Sequence, residues 1–444
     1  MYNLENNTEN KFISRYFSPL ATIFSFCLLL FIIYRSEIFW DGTKRNYYNI
    51  YYIISFTFLV FSIITYFINY KLKLYFIIIS TVAIFSFYSF EYFLIKKNFV
   101  ETNLDLNARI YKEKTGLDYD KRTIDQIYND LKKVDKTITV KVPPEVYLNN
   151  TDLEIYPFSG VSNSNTIYQN ENGYYMIYNS DRYGFNNPDQ EWDARQIEYL
   201  LVGDSATHGA AVNRPHDIAS RLRILSKKNV ISIGYSANGP LREYGSLKEY
   251  YSKNVKKIIW LFTDNDVQDI RYELNNPILL KYLKDKTFSQ NLKTKQKKID
   301  ELGKQMIVIA EKDYKKFKLF RFVKLYELRK KLFNKEKPDK DRNKIPKEFF
   351  EIIKLARNFS IKNNSEFYFV HLPIRRYFNH KDDIEIYNNL KKNIKSLNIN
   401  FIDIHEEVFS KEINPKKLFP FESLNHYNVE GYRKVAEAIF RLTN

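Results

Sequence analysis

Three apolar runs within the first 97 residues limit what this chain can fold into more than anything else in it. Residues 19–34, 49–69 and 72–95 carry almost no charge. Each is close to the roughly 20 residues an α-helix needs to cross a hydrocarbon core about 30 Å thick. In lipid the backbone polar groups of a segment must be satisfied internally, so such runs fold as helices. One run alone would also suit a signal peptide or a core helix. Three in succession, the first behind a polar tail without a cleavage site, predict three transmembrane spans. Only Tyr70 and Lys71 separate the second run from the third, which predicts a tight antiparallel hairpin.

An odd number of spans puts the two ends of the chain on opposite sides of the bilayer. Lys11, Arg15, Lys71 and Lys73 then mark the cytoplasmic side and leave the bulk of the chain outside. Arg35, Lys44, Arg45, Lys96 and Lys97 pull the other way. Glu91, near the end of the third run, is expected at the interface rather than in an intramembrane role.

The rest of the 444 residues is long enough to bury a large core. Its basic excess, 69 − 52 = +17, is scattered along the chain, so no nucleic-acid partner is expected. The abundance of Lys, Asn, Ile, Tyr and Phe resembles the bias of an AT-rich genome. The single cysteine, Cys27, allows neither an intrachain disulfide nor a cysteine-based metal site. His208, His216, His371, His380 and His405 show no H-x-x-x-H spacing, and neither a metal nor a cofactor is expected.

Residues 98–150 read as a helical linker with apolar positions at Ile110, Leu117, Ile124, Ile127 and Leu131. Pro143-Pro144 ends that pattern and starts extended structure. From 151 to 444 short apolar strands alternate with helical patterns, at 198–202, 230–233, 257–263, 366–372 and 399–404. That alternation predicts an α/β domain with a parallel sheet covered on both faces. The gap between the third and fourth strands exceeds one crossover, and about 272–346 reads as a helical insertion. Its Lys315-Lys316-Phe317-Lys318-Leu319-Phe320-Arg321 run is basic and amphipathic, either a solvated helix or one lying on an anionic lipid or glycan surface.

Chemistry gathers at the strand ends. Leu200-Leu201-Val202 runs into Gly203-Asp204-Ser205, with Gly209 four residues later. This puts a serine at the carboxyl end of a parallel strand, where open α/β sheets place ligands. Ser232-Ile233-Gly234-Tyr235-Ser236-Ala237-Asn238-Gly239 follows the second strand as a small-residue turn able to present backbone N–H groups. Asp264-Asn265-Asp266 follows the third. Asn425-His426-Tyr427-Asn428 precedes a final helix, well placed for its histidine to swing over the sheet edge.

These four blocks, in this order from about Glu198 to the C-terminus, resemble the SGNH or GDSL-type hydrolase superfamily. Ser180-Asp181-Arg182-Tyr183-Gly184-Phe185-Asn186-Asn187 looks like a segment of its membrane-anchored bacterial members, without a role assignable from its chemistry. The resemblance implies a flavodoxin-like sheet, Ser205 as nucleophile and His426 as its base. Oxyanion donors would be the Ser205 N–H, an N–H from Ala237 or Gly239, and the Asn265 side chain. One departure matters. The family's Asp three residues before the histidine is Ser423 here. Either Glu422 replaces it or a backbone carbonyl orients His426.

The resemblance implies a membrane-anchored serine esterase of the bacterial cell membrane, its C-terminal domain outside the cytoplasm. The expected substrates are acyl esters, O-acetyl among them, of cell-surface glycans or lipid-linked saccharides. Two alternatives stay open at this point. An O-acyltransferase would use the same acyl-serine, and a degenerate glycan-binding domain would explain the missing Asp.

Overall fold

The computed structural model describes residues 8–42, 45–100, 104–148, 153–333, 344–378 and 381–444. It divides into two units, Met1–Val100 with Lys318–Lys335, and Glu101–Phe317 with Glu336–Asn444.

In the first unit α1 (Thr8–Ile33), α2 (Arg45–Ile64) and α3 (Tyr70–Val100) carry the three apolar runs. The segments Arg15–Phe39, Arg45–Ile64 and Tyr70–Lys96 are long and apolar enough to cross a membrane. Large side chains such as Phe24, Ile53 and Phe85 point outward, more than half exposed. Such surfaces suit lipid and not water. The second helix stops at Ile64, five residues short of the apolar run, because Asn69 serves the next helix instead. Its Oδ1 accepts the Leu72 N–H at 2.9 Å, an N-cap that hydropathy alone absorbs into the span.

Glu91, expected at the interface, is engaged by protein. It is fully buried and accepts the N–H groups of Glu327 (2.9 Å) and Leu328 (2.8 Å), which open the helix Tyr326–Phe333. A carboxylate there satisfies donors that a helix start otherwise leaves orphaned. Arg329 of the same helix donates to the hydroxyls of Tyr47 and Tyr51. The insertion expected over 272–346 is therefore divided, residues 318–335 belonging with the apolar helices. Residues 334–343, His380 and the side chains of 310–318 lie outside the described residues.

The second unit holds two sheets. Strands β1 (Thr139–Val140), β2 (Asn165–Asn170) and β3 (Tyr175–Asn179) form the smaller, parallel then antiparallel. The larger consists of β4 (Ile197–Gly203), β5 (Val230–Ser232), β6 (Val255–Thr263), β7 (Glu366–Leu372) and β8 (Asn400–Asp403). All its pairs are parallel, in the order β5-β4-β6-β7-β8. That is the flavodoxin-like doubly wound order, with ligand space where the order reverses beside β4.

Side chains along the strands alternate between two cores. Leu200, Val202, Ile258, Trp260 and Phe262 pack on one face, and Tyr199, Leu201, Ile259 and Leu261 on the other. Both faces being covered explains why the strands read as unbroken apolar runs. The stretch read as a linker is part of this unit. Ile127, Tyr128 and Ile138 pack with Ile167 of β2.

Candidate active site

Ser205 opens the one-turn helix Ser205–His208 directly after β4. The turn is tight because Gly203 has no Cβ, which would lie 2.5 Å from the Leu261 carbonyl oxygen of β6. Gly209 closes it at φ +86°, a left-handed cap that glycine adopts freely. Asp204 caps the turn, its Oδ1 accepting the Ala206 N–H at 2.9 Å. His426 stands in the loop before the final helix Val429–Thr443, whose first turn is capped by Asn428.

These loops bring the two residues together. His426 Nε2 lies 2.8 Å from Ser205 Oγ, and both oxygens of Glu171 lie 2.9 Å from His426 Nδ1. A carboxylate only accepts, so Nδ1 carries the ring hydrogen and Nε2 is left to accept from the serine. Gln169 Nε2 donates to Glu171 Oε1 at 2.8 Å and steadies the carboxylate. Burial pulls the His426 pKa down, but the Glu171 charge and hydrogen bond outweigh it, and the net direction is up.

Glu422 is not the partner of His426. Its carboxylate accepts from Asn414 Nδ2 at 3.2 Å, and its carbonyl accepts from Arg375 Nε at 2.6 Å. Phe421 and Glu422 both hold left-handed backbone, φ +52° and +56°, which turns the side chain away. The residue facing the histidine comes instead from the β2–β3 hairpin. Asn172-Gly173 at its tip is a strong hairpin signal, which marks a turn at Glu171 but not where that turn docks.

Asn265 and Ala237 line the same cleft as Ser205, a cavity of about 310 Å³. Asn265 Nδ2 donates to Asp204 Oδ2 at 3.3 Å. Gly239 drops out as an oxyanion donor. Its N–H is given to Glu273 Oε1 at 2.9 Å, in the carboxylate that also receives Leu241 N–H. Lys141, from the stretch read as linker, donates to Ser236 Oγ at 2.9 Å and lies 4.0 Å from the Tyr168 ring centroid. Burial lowers its pKa to about 8.

His208 and His371 have partners other than Ser205. His208 is buried between the rings of Tyr168, Tyr178 and Tyr235, and burial drives its pKa down to about 3. His371 is buried in β7 against Asp264 at 3.0 Å. Asp403 and Glu406 pair with Lys391. Among the described residues no three His, Cys, Asp or Glu side chains are grouped to hold a metal ion.

The Ser180–Asn187 motif acquires a structural account. Asn187 donates to the Ser232 carbonyl at 2.8 Å and accepts the Ser232 N–H at 2.9 Å, so its amide stands in for a peptide group beside β5. Asp181 binds Asn187 in turn, along with the indole N–H of Trp192. Asn186 donates to the His208 carbonyl at 2.9 Å. The motif thereby supports the edge strand and the Ser205–His208 turn together.

No family model matches the chain, and no curated protein does. Solved structures similar to the chain include lipolytic proteins of the G-D-S-L family. The one from Desulfitobacterium hafniense DCB-2 is 14% identical over 56% of this chain and 99% of its own, TM-score 0.33. The one from Veillonella parvula DSM 2008 is 13% identical over 55% and 97%, TM-score 0.32. A single-residue mutant of the esterase AlinE4 is 9% identical over 49% and 82%, TM-score 0.28.

Proposed function

We propose that the chain is a membrane-anchored serine esterase of SGNH type, acting on acyl esters, O-acetyl among them, of surface glycans or lipid-linked saccharides. One observation carries this reading: the continuous hydrogen-bonded line from Ser205 Oγ through His426 to Glu171. Serine is a weak nucleophile until a base takes its proton, and a base must hold the right tautomer to do so. In the proposed reaction Ser205 Oγ attacks the ester carbonyl while His426 Nε2 takes the hydroxyl proton. The alcohol leaves with that proton, and water then hydrolyses the acyl-serine with His426 again acting as base.

Asn265 and the N–H groups of Ser205 and Ala237 serve as donors to the tetrahedral oxyanion. Losing one such donor costs about 10²–10³-fold in turnover. In this reading the carboxylate of Glu171 takes the role that the missing Asp left open, which favours an esterase over a degenerate glycan-binding domain. A fluorophosphonate probe tests the proposal. Covalent labelling of the intact protein is expected, with none in Ser205→Ala. Labelling that survives Ser205→Ala, or no labelling of the folded wild type, would overturn it.

A further inference from the structure

The cleft around Ser205 has a one-sided charge pattern. Its lining includes the carboxylates of Glu145, Asp204 and Asp269 and, among the described residues, not one lysine or arginine, in a chain of net charge +17. Asp204 is engaged by the protein, accepting from Ala206 N–H, Thr263 Oγ1 and Asn265 Nδ2. Glu145 and Asp269 are different. Among the described residues neither side chain has a hydrogen-bond or ion-pair partner, and both line the cavity that holds the nucleophile.

Their positions are rigidly built. Glu145 sits in the one-turn helix Pro144–Tyr147 behind Pro143, where the proline ring restricts the backbone. Asp269 sits in the first turn of the helix Asp266–Glu273. Its Cβ is so close to Gly239 that a Cβ there would lie 2.7 Å away. Both carboxyl groups, without protein donors and beside the serine, are open to ligand hydroxyls; burial raises the Asp269 pKa to about 7, so its ionised form accepts at and above neutral pH.

We infer that Glu145 and Asp269 are specificity residues that accept hydrogen bonds from the hydroxyls of an uncharged, polyhydroxylated alcohol moiety of the ester. The inference rests on the esterase reading above and names the part of the substrate that reading leaves general. An ester carrying phosphate or carboxylate beside its carbonyl finds no basic side chain in the lining to pair with. A plain alkyl or aryl alcohol strips water from both carboxylates and returns no hydrogen bond. Sites built to bind a hydroxyl discriminate strongly against analogues that lack it.

The test compares two substrates on the full-length protein in detergent: a mono-O-acetylated methyl glucoside and nitrophenyl acetate, whose alcohol has no hydroxyl to offer. For Asp269→Asn and Glu145→Gln, the ratio of kcat/KM on the sugar ester to that on the aryl ester should fall about tenfold or more, the loss of one charge-assisted hydrogen bond. The change should appear mainly in KM. Fluorophosphonate labelling of Ser205 in each variant checks that the site is intact. A ratio within twofold of wild type in both variants overturns the inference and leaves the esterase reading standing.

If the wild type hydrolyses neither ester, the esterase reading fails by itself. The inference is then decided by saturation-transfer NMR of the methyl glucoside on the Ser205→Ala protein. Binding that weakens in the Asp269→Asn background supports it. No binding, or binding indifferent to Asp269 and Glu145, overturns it.

Discussion

Ser205 Oγ has one hydrogen and two acceptors within reach, His426 Nε2 at 2.8 Å and Asp204 Oδ2 at 3.1 Å. The shorter contact leads to the group that can keep the proton. Glu171 decides whether that group is ready, since its carboxylate holds the hydrogen on Nδ1. Glu171→Gln removes the charge and allows the wrong tautomer, so turnover on nitrophenyl acetate should drop about 10³–10⁴-fold. Glu422→Gln should be close to silent. The pH–rate profiles of the same proteins carry a second sign. A base works only when neutral, so kcat/KM should rise with pH through a midpoint above the ordinary histidine value of about 6.5. In Glu171→Gln the raising influence is gone and burial remains, which moves the midpoint down. A midpoint unmoved by the substitution would show that Glu171 does not set the histidine's basicity. That Ser205, His426 and Asn265 meet at one cleft was legible because each stands at a strand end or in a loop with fixed local spacing. Glu171 was not, since it lies 255 residues from His426 and no local pattern records which loops meet.

At the level of elements, the turn after β5 that carries Ala237 and Gly239 is held by a buried ion pair. Glu273 accepts the N–H groups of Gly239, Leu241 and Arg242 and pairs with the Arg242 guanidinium at 2.5 Å. The two side chains are 0% and 1% exposed. Removing one partner strands the other's charge, so Glu273→Ala should cost about 3–5 kcal/mol, read as a lowered denaturation midpoint. An unchanged midpoint would mean that water enters and compensates. The five strands of the large sheet were legible to within about two residues at their ends, because burial on both faces leaves a run of apolar residues that no helix period fits. The small sheet was not. β1 is only two residues long, too short to carry an alternation, and the Asn172-Gly173 turn announces a hairpin without naming its partner strand.

For the molecule as a whole, the three apolar helices limit where the unit that carries Ser205 can stand. The proposed topology puts the N-terminus in the cytoplasm and residues after 97 outside. Alkaline phosphatase fused after residue 97 should be active, and the same reporter placed at residue 70 inactive. The reverse pattern would put the esterase inside the cell. The three apolar helices were legible from length and hydropathy alone. The division of the insertion was not, because it depends on Glu91 and Arg329 finding backbone and hydroxyl partners more than 200 residues away in sequence. The hairpin that carries Glu171 has one more consequence. Serine and histidine belong to the doubly wound sheet, while the acid arrives on a separate small sheet, fastened where Asn172 Nδ2 donates to the Ala211 carbonyl at 2.7 Å. A chain with only the large sheet assembled would own a nucleophile and a base but no means of holding the imidazole ready. In the proposed mechanism competence therefore requires both sheets, the large one for Ser205 and His426 and the small one for Glu171.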